Sequence, residues 1–116
     1  MTYREILEEF KSNIPAIRAI IFCDHEGEAI EFVSEFDSYH TQLFGAYHSE
    51  LMLHCKAAAK DLPVGNLLSL ELRTSMGAVS LWPIGTHYYL AVMAKAPLSS
   101  THPAVARVRK TLEAEV

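Results

Sequence analysis

From Tyr39 to Asp61 the chain has no proline and one glycine, Gly45. No other feature limits the fold as strongly. A helix of that length rises about 1.5 Å per residue, spans a small domain, and needs a broad surface to lie against. Within it Phe44, Tyr47, Leu51 and Ala58, continued by Leu62, form one apolar stripe, which is predicted to cover a sheet. His48, Met52, Cys55 and Ala59 carry the apolar surface onto a neighbouring face, where a helix buried on one side only would be charged. The spacing therefore predicts a helix buried on two sides, with the second face in contact with another helix. Gly45, Ala57, Ala58 and Ala59 would admit a close backbone there, although alanine also serves propensity alone. Asp37 or Ser38 is placed to cap the start, and Pro63, Gly65 and Asn66 end the helix.

The flanking segments read as strands and two shorter helices. Thr2 and Glu5 have capping-box spacing ahead of Ile6, Leu7 and Phe10, which predicts a short first helix. Ile17–Asp24 is rich in branched and aromatic residues. After a turn at Asp24–Gly27, Glu28–Ser34 alternates Ile30 and Phe32 against Glu31, so the pair predicts a β-hairpin. Beyond the long helix, Leu67–Thr74 alternates Leu68, Leu70 and Leu72 against Ser69, Glu71 and Arg73. Ala78–Ile84 and His87–Ala94 complete a three-stranded meander. HYYLAVMA is apolar on both faces and predicts a central strand, whereas Leu67–Thr74 has a polar face and predicts an edge open to another strand. Thr101–Glu115, with proline in its first turn, predicts a closing helix that buries Ala104, Val105, Val108 and Leu112. The expected fold is α+β: a five-stranded antiparallel sheet with helices on both faces, in the order α-β-β-α-β-β-β-α, forming a single domain over residues 1–116.

The composition narrows the functional classes. A net charge of -4 and scattered basic residues, clustered only at Arg107, Arg109 and Lys110, give no field for a polyphosphate chain, so no nucleic acid is expected. No apolar run approaches the roughly 20 residues of a membrane span. Met1–Phe10 carries Glu5, Glu8 and Glu9 where a signal peptide would be basic and then apolar, so the expected compartment is the cytoplasm, without a membrane partner. Cys23 and Cys55 are too few and too far apart for a zinc pattern or a disulfide framework, and read as buried thiols. The stretch CDHEGEA gathers a thiol, an imidazole and three acids around Gly27, but with a glycine closing a four-residue turn it reads as a solvated hairpin tip.

His40, His48 and His54 include no i, i+4 pair, and HExxH, CxxC, GxSxG and P-loop patterns are absent. The residues therefore predict no catalytic site, no metal site and no cofactor, and Trp82 reads as core or interface.

The chain resembles the Roadblock (dynein light chain) family, including bacterial roadblock proteins that regulate Ras-like GTPases of gliding and polarity. The resemblance lies in IPAIRAIIFCDHEGEAI, in the alanine-rich helix end KAAAKDL, and in GAVSLWPIGTHYYLAVMAKAP, and it covers almost the whole chain. It implies a roadblock/profilin-like sandwich and a homodimer in which two subunits pair their long helices and third strands. On that basis the expected interface comprises His48, Met52, Cys55, Ala59, Ser69, Glu71 and Arg73. The function it implies is non-catalytic regulation or scaffolding of a cytoplasmic Ras-like small GTPase. The alternatives are an adaptor light chain that leaves GTP hydrolysis unaltered, and a small-ligand or metal sensor using the histidines.

Overall fold

A computed structural model describes residues Met1–Val116. In chain order the elements are α1 (Tyr3–Asn13), β1 (Ile17–Asp24), β2 (Ala29–Ser34), α2 (Ser38–Asp61), β3 (Leu70–Thr74), β4 (Gly77–Ile84), β5 (Tyr88–Ala94) and α3 (Pro103–Glu115). The strands form one antiparallel sheet in the order β2-β1-β5-β4-β3. The hairpin and the meander are thus joined along β1 and β5, and β5 is central, as its two apolar faces predict.

Local chemistry sets the helix ends. Glu5 N–H donates to Thr2 Oγ1 at 3.1 Å and Thr2 N–H donates to Glu5 Oε1 at 3.0 Å, which completes the capping box of α1. His102 Nδ1 accepts from Ala104 N–H at 3.0 Å ahead of α3, and Asp37 Oδ1 accepts from His40 N–H at 2.8 Å ahead of α2. One face of the sheet, with Ile20, Phe22, Trp82, Leu90 and Val92, packs under α1 and α3. Trp82 is 2% exposed there, as core. The other face, with Ile21, Cys23, Leu81, Tyr89 and Ala91, holds the smaller cluster into which α2 inserts Met52.

Three sequence expectations are corrected. The stripe assigned to the sheet faces elsewhere: Tyr47 is 65% exposed, and Ala58 and Leu62 also face solvent. The face against the sheet is Thr41, Gly45, Ser49 and Met52, flanked by half-buried Phe44, His48, Cys55 and Ala59. Small and hydroxylated residues win because α2 lies close to β1. A Cβ on Gly45 would stand 3.3 Å from Ile21 Cγ2. The buried hydroxyls also find partners, Thr41 Oγ1 donating to Ser34 Oγ at 2.9 Å and Ser49 Oγ meeting Cys23 Sγ at 3.2 Å.

The third strand begins at Leu70 rather than Leu67. Leu70 stands opposite Leu81, so continuing the register would place Leu68 opposite Pro83, which has no N–H to give to a ladder. Gly65–Ser69 consequently form no hydrogen bond within the chain. The alternation expected of the second strand is also broken. Phe22 stands opposite Glu31 and Cys23 opposite Ala29, so Ile30 is the extra residue of a bulge and turns partly to solvent.

Candidate interaction surface

The hairpin tip is built as a turn. Asp24 Oδ1 accepts from Glu26 N–H at 2.9 Å and Glu28 N–H at 3.1 Å, while Gly27 N–H donates to the Asp24 carbonyl at 3.1 Å. Gly27 has φ +88°, and a Cβ on it would lie 3.2 Å from Ala46 Cα, so the turn also rests on α2. His25 and Glu26 are exposed, with the His25 ring 5.6 Å from that of His87. Replacing His25 by Ser and Glu26 by Gln together should change stability by no more than about 0.5 kcal/mol. Gly27→Val, which combines backbone strain with the contact to α2, should cost about 2 kcal/mol. Urea denaturation of the two variants separates these outcomes, and a large loss in the double variant would make the tip a site.

The interface residues expected from sequence fall into two groups. Met52 is fully buried between α2 and the sheet and has no surface to offer a second chain. His48, Cys55 and Ala59 are half-buried along the flank of the same contact. His48 Nδ1–H donates to the Phe44 carbonyl at 2.6 Å, and burial pushes the imidazole pKa below its usual value against the opposing effect of that bond. Burial likewise pushes the Cys23 thiol up, away from the thiolate that nucleophilic chemistry needs. Ser69, Glu71 and Arg73, by contrast, are exposed along the free side of the sheet, and Arg73 Nε lies 3.4 Å from Glu71 Oε2.

Sequence reasoning missed the outward side of α2. Tyr39, Ala46, Tyr47, Leu53 and Ala57 are exposed on it, with Glu50, His54 and Lys60 among them. Of these, the sequence expectation gave Tyr47 to the sheet and Ala57 to a close backbone contact, and placed Tyr39, Ala46 and Leu53 on no face. The segment Leu62–Ser69 that follows α2 has no charged residue and leaves Leu62, Val64 and Leu68 exposed.

The two edges of the sheet differ. On β2 the bulge and Arg4, whose guanidinium donates to Glu31 Oε1 at 3.0 Å and to the Phe32 carbonyl at 3.3 Å, obstruct a further strand. β3 is paired only with β4, and nothing in the chain covers its outer row of donors and acceptors. An open strand edge and apolar side chains exposed on a helix equip a chain to bind another polypeptide by strand addition and helix packing.

No helix is long and apolar enough to cross a membrane. The family model of the Roadblock/LC7 domain matches residues 3–94. No curated protein matches the chain in sequence. Among solved structures, a Roadblock/LC7 domain from Streptomyces avermitilis superposes with a TM-score of 0.87 at 13% identity, covering 99% of this chain and 98% of that one. The gliding protein MglB from Thermus thermophilus gives a TM-score of 0.81 at 17% identity, over 96% of this chain and 85% of its own. MglC from Myxococcus xanthus gives 0.62 at 12% identity with both chains fully covered. At such identities the structural likeness is one of fold.

Proposed function

The chain belongs to the Roadblock/LC7 family, and on that premise we propose that it is a single-domain, homodimeric, non-catalytic regulator of a Ras-like small GTPase in the cytoplasm. The observation that carries the reading is the open β3 edge, in a chain that also leaves Tyr47 and Leu53 exposed on the outward side of α2. Joining two copies along β3 would continue one sheet through both subunits and present a broad, rigid surface to a partner. Ser69, Glu71 and Arg73 keep their place in the strand contact. In the helix contact Tyr47 and Leu53 take over from Met52, which is enclosed.

The regulation asks for no chemistry from this chain. Phosphoryl transfer is accelerated mainly by positioning and charge, so a protein that holds the switch segments of a GTPase in their hydrolytic arrangement raises the rate without donating a catalytic side chain. The fold shared with a protein named for gliding supports a role in motility or polarity. The test is single-turnover GTP hydrolysis by the small GTPase recovered with this protein from its native cytoplasm. The wild-type chain should raise the rate, and a dimer-breaking variant should raise it less. Stable binding with unchanged hydrolysis would replace this reading by that of a tethering adaptor.

A further inference from the structure

We propose that the twofold axis of the homodimer passes through Leu72, and that this register seats Leu68 of each copy in an apolar groove of the other. The inference rests on the homodimer reading above and specifies its geometry. Two copies of β3 related by a twofold axis run antiparallel, and residues directly opposite each other lie on the same face of the sheet. With the axis at Glu71, two carboxylates would stand opposite each other; with the axis at Arg73, two guanidinium groups would. Like charges in that position repel. With the axis at Leu72, each Glu71 stands opposite the second copy's Arg73, so both charge pairs are satisfied at once.

The same register sets Leu68 beside the second copy's Met76. These residues are 75% and 76% exposed in the single chain and lie equally far from Leu72. By alternation Leu68 falls on the face of Leu70 and Leu72, which pack towards the α2 side of the sheet. On that face Met76 borders a groove of about 360 Å³, lined also by Phe36, Val79 and Met93. α2 packs over β1, β2 and β5 and does not fill it. Leu68 thus meets an apolar groove of matching position, just beyond the ladder in which Leu70–Thr74 of the two copies pair.

The experiment is disulfide trapping in the full chain. Within one chain Leu68 and Met76 lie at opposite ends of β3, roughly 13 Å or more apart, beyond the ~7 Å Cα separation a disulfide spans. The double variant Leu68→Cys, Met76→Cys should therefore run as a covalent dimer on a non-reducing gel after mild oxidation by dissolved oxygen with a copper–phenanthroline catalyst, while each single variant treated in the same way should not. A second arm reads the charges: Glu71→Arg should weaken dimerisation about tenfold, and adding Arg73→Glu should restore it. If light scattering finds a wild-type dimer but no cross-link forms and the charge swap restores nothing, the register is overturned while the homodimer stands. A wild-type monomer at micromolar concentration overturns the homodimer itself.

Discussion

Gly77→Ala is expected to lower stability by about 4 kcal/mol or more, at the far end of what single substitutions do. Gly77 opens β4 opposite Thr74, and its neighbour Ala78 stands opposite Ala94 at the end of β5. A Cβ on Gly77 would overlap the Ala94 carbonyl oxygen and lie 3.2 Å from Lys95 Cα. Both are backbone atoms of the central strand and its exit, so no side-chain rotation relieves the overlap. The φ of +152° adds strain for any residue with a Cβ. Relief requires β4 to move away from β5, which would loosen the meander and with it Trp82 and Ile84, both buried against α3 and α1. Ser75→Ala, two residues earlier and exposed, should stay within about 0.5 kcal/mol. Urea midpoints at constant slope compare the two, and equal midpoints would mean that β4 does not pass so close to β5.

Periodicity carried most of the fold, because it reports burial wherever large apolar residues provide the burial. The capping box at Thr2, the core of α3 and the central place of β5 were all legible in that way. The orientation of α2 was not. Its closest contact with the sheet is made by Thr41, Gly45 and Ser49, residues that a hydrophobic stripe passes over, and only the position of Ile21, Cys23 and Ser34 across the gap makes them the buried choice. The start of β3 was hidden for a similar reason. The alternation of Leu68, Leu70 and Leu72 is genuine, but whether Leu68 joins the ladder depends on Pro83, fifteen positions further on and opposite only once the register is known. Ile30 shows the same limit, since a bulge is a relation between two strands and leaves no mark on one of them.

Met52 and Leu53 turn this lesson into a test, because they are neighbours in sequence, point about 100° apart around α2, and differ in burial. Met52 is fully enclosed and Leu53 is 48% exposed. Met52→Glu would place a carboxylate among Ile21, Val79, Leu81 and Ala91, where an unpaired charge costs several kcal/mol by order of magnitude. The expected result is loss of the folded subunit, read as a flat thermal melt or insoluble protein. Leu53→Glu puts the same charge on the outward face, where in a single subunit it meets water. That variant should keep its subunit stability within about 0.5 kcal/mol and yet sediment as a monomer, since in the proposed dimer the charge would be trapped between two apolar helices. The contrast separates folding from association, which an interface built on Met52 could not do. A folded monomer from Met52→Glu together with an intact dimer from Leu53→Glu would mean that α2 is rolled about its axis by about 100°, a little over a quarter turn. The helix contact proposed for Tyr47 and Leu53 would then belong to the face of Met52 and Cys55.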